Sequence, residues 1–309
     1  VSGGNDVDAD ESGFAPAYQD RLYLNDGSGN LAKTALPKIQ SCGGEVAAAD
    51  VDGDGDLDLF RTGLSFSGRY PLEPRSFLLE NQNGAFVDVT PEELKHIGMA
   101  SSAVWADIDL DQTPELLVAG EWMPIRVFKI ETGWTATELT EKSGFAMTNG
   151  WWNTLIAADM DGDGDLDLVA GNQGLNNQMK PSLTEPMTLV AGDFDENGSI
   201  DPIISYYIQG KSYPMPSRDE LLDQLAPLRR FFTTFASYSN ATIQDFLSVD
   251  QRQKAYKKAV YTFSSTLFEN DGKGHFSAIP LPKEAQFAPI NTILVKDLNQ
   301  DGLLDLILG

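Results

Sequence analysis

The chain has 309 residues, 41% of them hydrophobic, which is enough for a sizeable core. Its formal charge is -24, with 46 acidic against 22 basic residues, and this excludes the broad basic footprint that nucleic acid requires. No apolar run approaches the length of a membrane span, and the single cysteine, Cys42, excludes an internal disulfide and reads as a small buried hydrophobe.

VSGGN opens like a strand, and an acidic turn follows between Asp6 and Glu11. RLYLNDGSGNL, Arg21 to Leu31, reads as two short strands around an Asn-Asp-Gly turn. DVDGDGDLD then begins at Asp50, with carboxylates at positions 1, 3, 5 and 9 and glycine at position 6. The frame returns as DMDGDGDLD at Asp159, DFDENGSID at Asp193 and DLNQDGLLD at Asp297. A weaker copy, DIDLDQTPE at Asp107, has Gln112 in place of the glycine, Pro114 at position 8 and Glu115 as its closing acid. With Asp or Asn at about 10% and Gly at about 7% of residues, one full match arises by chance at roughly 10⁻⁵ per starting point. Four full matches therefore make a repeat.

The spacing suits a hard divalent cation, which takes six to eight oxygens from carboxylates that converge as the backbone wraps round it. Calcium is the natural occupant. The side chains of positions 1, 3, 5 and 9 and the carbonyl of position 7 are the candidate ligands. In the first loop these are Asp50, Asp52, Asp54, Asp56 and Asp58, and in the weak copy Asp107, Asp109, Asp111 and Glu115. The third loop offers Asp159, Asp161, Asp163, Asp165 and Asp167, the fourth Asp193, Asp195, Asn197, Ser199 and Asp201, and the last Asp297, Asn299, Asp301, Leu303 and Asp305. Short apolar, β-branched runs flank the loops, so strands lead in and out where an EF-hand would have helices. The five loops hold 21 of the 46 acids and no base, so the acidity is local ligand charge and not a general repulsive surface.

Hairpins alternate with the loops: FLLENQNGAF (Phe77 to Phe86), RVFKIETGW (Arg126 to Trp134) and TLFENDGKGHF (Thr266 to Phe276). Two strands around a loop and two around a turn make a four-stranded unit, and loop-to-loop distances of 57 and 52 residues fit a propeller blade. The next distances, 34 and 104, break the pattern. After Asp159 only the polar GNQGLNNQMKPSLTEP precedes the next loop, which predicts a shortened or irregular blade. Residues 213–260 read as a helical insertion. Ser217 with Glu220 forms a capping-box pattern, LRRFFTTFASYS has helical spacing, and Thr242 with Asp245 opens a further short helix before QRQKAYKKAV. The chain ends in DLILG, like a strand after a metal loop, and together with VSGGN this suggests a piece of a longer parent.

The runs VAAADVDGDGDLDLF and TLIAADMDGDGDLDLVAG, alternating with LYLNDGSGNL-type hairpins, resemble the FG-GAP or VCBS repeats of calcium-binding β-propellers, the class that includes the integrin α-subunit head. GEWMPIRVF, GWWNTL, AGNQGLN, AGDFDENGSIDPI and YYIQGKSYPMPSRDELL further resemble bacterial surface proteins with VCBS repeats, many of them from Bacteroidetes. The resemblance covers nearly the whole of residues 1–309. It implies an all-β propeller of about five blade equivalents, each loop holding a structural Ca²⁺. It also implies a secreted, periplasmic or surface-attached protein that binds a glycan or a protein partner. The same fold hosts polysaccharide lyases and plain spacers, and these stay open as alternatives.

Outside the loops the groups for catalysis are few. His96 and His275 are the only histidines, and Glu73, Glu115 and Glu121 are the carboxylates a glycosidase-like pair would draw on. A second constellation is aromatic and amide-rich: Trp122, Trp151, Trp152, Asn153, Asn172, Gln173, Asn176, Tyr206 and Tyr207, with Arg69 in a comparable position. Such faces suit sugar rings, and they suit packing between sheets equally well. The third is basic, Arg218, Arg229, Arg230, Arg252, Lys254, Lys257 and Lys258, which makes either a solvated helix face or a dock for an anionic partner.

Overall fold

The computed structural model describes residues 19–39, 42–66 and 68–309. The strand and the acidic turn expected before residue 12 lie outside them. Among the described residues strand outweighs helix, 40% to 12%, and every sheet is antiparallel. The first complete sheet is a meander of Cys42–Ala49, Asp58–Ser65, Phe77–Gln82 and Ala85–Asp88, wrapped round the Asp50 loop. The second runs Met99–Ala106, Glu115–Met123, Arg126–Glu131 and Thr135–Glu138 round the Asp107 loop, with Gly150–Trp151 added beside the far end of Glu115–Met123.

These strands carry continuous apolar runs because both sheet faces are covered. In Glu115–Met123, Leu116 and Val118 pack with Phe60, Leu78 and Phe128 on one side. Leu117 and Ala119 pack with Trp152, Leu155, Leu168 and Phe268 on the other. The alternation of side chains thus sends one set toward the Asp50 sheet and the other toward the Asp159 sheet. Val169, Leu281 and Ile290 continue the stack onto Ile293, Leu306 and Leu308 of the last, two-stranded sheet, Ile293–Lys296 with Asp305–Leu308. Leu22–Asn25 and Leu31–Thr34 form the hairpin expected near the start. Cys42 is buried, as a small hydrophobe would be.

The structure departs from expectation around Asp159. That sheet is neither short nor irregular. Thr154–Ala158 and Asp167–Gly171 are completed by Thr266–Asn270 and Phe276–Pro280, with Leu168 opposite Phe268. The outer hairpin comes from far along the chain, and apolar complementarity recruits it: Phe268 and Phe276 close on Phe145, with ring centroids 5.1 and 5.0 Å apart.

Everything between those two halves is inserted. It contains a four-stranded sheet of its own, Lys211–Pro214, Asp201–Ile208, Met187–Gly192 and Tyr256–Val260, built round the Asp193 loop. Helices Arg218–Gln224, Phe235–Tyr238, Ile243–Phe246 and Val249–Lys254 follow within it. The capping box predicted at Ser217 and Glu220 is formed, and Leu221, Leu222, Leu225, Phe232 and Phe246 bury against Ile203. The helical reading of QRQKAYKKAV holds only to Lys254. Tyr256–Val260 is a strand, because its alternate side chains and backbone pair with Met187–Gly192, so Lys257 and Lys258 stand on a sheet and not on a helix. No described helix is long and apolar enough to cross a membrane.

Candidate metal centres

All five loops fold on one hydrogen-bond frame. The position-1 carboxylate accepts the N–H of position 6: Gly55 to Asp50 Oδ2 at 3.0 Å, Gln112 to Asp107 Oδ2 at 2.9 Å, Gly164 to Asp159 Oδ2 at 3.1 Å, Gly198 to Asp193 Oδ2 at 2.9 Å and Gly302 to Asp297 Oδ2 at 3.0 Å. The closing carboxylate accepts the N–H of position 2, from Val51 to Asp58 at 3.1 Å through Leu298 to Asp305 at 2.9 Å. Position 5 accepts from position 7 in each case, as Asp165 N–H does to Asp163 at 3.1 Å. Side-chain oxygens thus hold the backbone in a tight coil without any ladder hydrogen bonds.

The coil puts positions 4 and 6 in the left-handed region. Glycine at position 6 meets that requirement without a Cβ penalty, and Gly164 has φ +100°. Position 4 was missed, although Gly53 and Gly162 stand there and Gly53 has φ +78°. Where glycine is absent the conformation persists: Leu110 and Gln112 of the Asp107 loop have φ +60° and +71°. Each such residue costs on the order of 1 kcal/mol, so the frame is strong enough to impose it.

Acidic oxygens from Asp50, Asp52 and Asp54 lie within 4.8 Å of one another, as do those from Asp107, Asp109 and Glu115, from Asp159, Asp161 and Asp163, and from Asp193, Asp195 and Asp201. Each of these four groups could hold a metal ion. The Asp297 loop, with Asn299 at its third position, forms no such group of three acids among the described residues. In the Asp159 loop Asp165 is only 6% exposed, yet its buried Oδ1 has no hydrogen-bond partner. Burial, then the neighbouring Asp163, Asp167, Asp161 and Asp159, pushes its carboxyl up to about 6. Burial likewise raises Asp58, Asp167 and Asp201 above the ordinary carboxylate range. Hard oxygen donors, crowded and short of partners, fit a hard cation.

Outer-hairpin asparagines complete two of the loops, and sequence reasoning passed over them. Asn81 N–H donates to Asp58 Oδ1 at 2.8 Å and its Nδ2 to the Leu57 carbonyl at 3.2 Å. Asn270 repeats this on Asp167 Oδ1 at 2.9 Å and the Leu166 carbonyl at 3.1 Å, and adds a bond to the Ile108 carbonyl of the next loop at 2.9 Å. The signal was the asparagine shared by LYLN, FLLEN and TLFEN.

The aromatic constellation is only partly assembled. Trp122, 0% exposed, lies 5.4 Å from Trp151 and donates its Nε1–H to the Tyr70 hydroxyl at 2.6 Å, in a cluster with the half-buried Tyr206. Trp152 is buried separately among Phe268 and Leu155, its indole N–H spent on the Thr148 carbonyl. Asn172 is a buried strut that accepts from the Trp151 and Gln173 N–H groups and donates to the Thr262 carbonyl. Asn153 bonds the Ile290 carbonyl. Trp152 and Asn172 therefore pack sheets together, and Trp122, although buried, borders a groove that Pro124, Asn149 and Tyr261 also line. Gln173 and Tyr207 are half-buried, and Arg69 and Asn176 are exposed, Asn176 tied to the Phe287 carbonyl.

The basic constellation is largely paired. Arg218 meets Asp219, Arg229 meets Asp223, Lys254 meets Asp250, and Lys258 meets Glu73, which also accepts from the Tyr256 hydroxyl. The carboxylates considered for catalysis are dispersed: Glu73 holds Lys258, Glu115 closes a loop, and Glu121 stands opposite Trp151 in its ladder. His96 and His275 are exposed.

No curated protein matches the chain. Residues 6–60, which take in the whole Asp50 loop, match the family model described as an FG-GAP-like repeat, and this supports the FG-GAP repeat family for that stretch.

Proposed function

We propose that the chain is a calcium-stabilised β-propeller segment of a recognition protein working outside the cytoplasm, with its stacked four-stranded sheets as blades. The observation that carries the reading is the Asp159 loop, where Asp159, Asp161 and Asp163 converge and a buried Asp165 oxygen beside them lacks a partner. Asp50, Asp52, Asp54, Asp56 and Asp58 would hold a second ion in the same manner, and Asp193, Asp195 and Asp201 a third. The ion's part is structural: it would neutralise the crowded carboxylates and lock the turn between two strands. Modules of this kind bind calcium at about 10⁻⁴ to 10⁻³ M, which suits a secreted, periplasmic or surface setting.

Recognition of a glycan or protein partner would then fall on a groove between two of the sheets, with Trp122 at its floor. A groove of about 500 Å³ where the Asp107 sheet meets the inserted sheet, lined by Pro124, Asn149, Lys257 and Tyr261, offers an amide, a phenol and a cation side by side. Thermal melts in EDTA and in excess calcium test the metal half: an unchanged melting temperature would refute it. A glycan array with and without calcium, repeated with Lys257→Gln, tests the binding half. The expected result is a calcium-dependent signal that the substitution weakens.

A further inference from the structure

The sheets at Asp50, Asp107 and Asp159 can be compared position by position, because Leu59 faces Leu79, Leu116 faces Phe128 and Leu168 faces Phe268 in their ladders. One step along, the closing acids Asp58, Glu115 and Asp167 stand opposite Glu80, Lys129 and Glu269. Cross-strand neighbours share a face and lie close enough to interact. Two sheets thus set a glutamate beside the loop, and the middle one sets a lysine.

That lysine reaches in. Lys129 Nζ hydrogen-bonds Asp111, lies 3.4 Å from Glu115 Oε1 and 4.0 Å from Asp109 Oδ2, and is only 28% exposed. Glu115 is 0% exposed, and its Oε1 is the counterpart of the oxygen that takes an asparagine N–H in the other two sheets. Here it receives no hydrogen bond and faces the ammonium. Asp109 Oδ1, also buried without a hydrogen-bond donor, belongs to the same group of acids. Yet the backbone frame of this loop is that of the others, down to two left-handed residues that are not glycine.

We infer that Lys129 is the built-in cation of the Asp107 loop, its ammonium standing where the sister loops leave room for a divalent ion. Four acids and one base replace five acids and none, so the loop has less charge to offer a metal. A divalent ion placed among Asp109, Asp111 and Glu115 would meet a positive charge already there. The middle sheet is thereby closed independently of calcium. The comparison of seats rests on the calcium reading above, but the position of the ammonium does not.

Two measurements test the inference. The first is amine labelling of the native protein, read by peptide mass spectrometry in EDTA and in calcium. Lys129 should react several-fold more slowly than Lys254, whose side chain is 76% exposed, and calcium should not change its rate. Labelling as fast as at Lys254, or labelling that rises when calcium displaces the ammonium, overturns the inference. The second is calcium stoichiometry by calorimetry. Lys129→Met should bind about one more ion per chain than the unaltered protein, because the emptied seat keeps its carboxylates. A folded variant with unchanged stoichiometry overturns the inference. Should the unaltered chain bind no calcium at all, the proposed function fails, and the labelling rates still decide where the ammonium sits.

Discussion

The loops at Asp159 and Asp107 share one backbone and differ in what their carboxylates face. In the first, Asp159, Asp161 and Asp163 converge and the buried Asp165 oxygen has no donor. In the second, Lys129 stands against Asp111, Glu115 and Asp109. The same side-chain-to-backbone hydrogen bonds hold the coil in both loops although the groups facing their carboxylates differ, so the fold of such a loop and its cation are separable properties. A nine-residue frame in a sequence therefore identifies the turn, and the strand across the ladder decides what neutralises it.

The largest expected effect probes the strand that returns to the Asp159 sheet. Phe268→Ala and Phe128→Ala remove aromatic rings at matching register, and each should cost about 3–5 kcal/mol in chemical denaturation. Only Phe268→Ala should also weaken calcium binding, since it loosens the strand that brings Asn270 to the loop. Equal calcium affinities in the two variants would break the comparison at that point.

Next comes the metal itself. At a hundredfold excess over its dissociation constant, one independent site contributes about 2.7 kcal/mol. Asp159→Ala should lose that calcium-dependent increment, whereas Asp107→Ala should lose almost none of it. Melting curves with and without EDTA would show the contrast, and matching losses would mean that both loops depend on metal alike. Asn270→Ala removes bonds to two loop carbonyls, Leu166 and Ile108, and is expected to cost about 1–2 kcal/mol whether or not calcium is present.

Acid should separate the metal-free and metal-bound states. Burial and the neighbouring aspartates push the Asp165 carboxyl up to about 6 in the folded chain, above the ordinary aspartate range. Its contribution to stability is therefore fully present below about pH 4 and is lost as pH rises through about 6. Burial moves Asp58, Asp167 and Asp201 the same way. In EDTA the protein should melt higher at about pH 5 than at about pH 7, and calcium should flatten or reverse that trend. A calcium increment that does not grow between those two values would count against the acids as the ion's holders. The smallest effect is local: Gln112→Gly relieves a left-handed side chain and should stabilise by roughly 1 kcal/mol, less the entropy that glycine adds to the unfolded chain.

Much of this was legible in the sequence because it is local. Ligands, turn and frame of each loop fall within nine residues, so the spacing of aspartates and glycine was enough to place all five coils and their flanking strands. The Ser217 capping box was equally readable, since its two partners are three residues apart. What the sequence could not announce was pairing over distance. Asp167–Gly171 takes Thr266–Asn270 as its neighbour across an inserted sheet, and Tyr256–Val260 forms a strand because Met187–Gly192 offers it an edge. Burial among Phe268, Leu155 and Leu168 turned Trp152 from a candidate ligand platform into packing. Lys129 belongs to the same class: its meaning depends on the cross-strand register that sets it opposite Glu115. Contacts made within a turn are written in the spacing of a few residues, whereas contacts between strands depend on which edges and apolar faces the folded chain brings together.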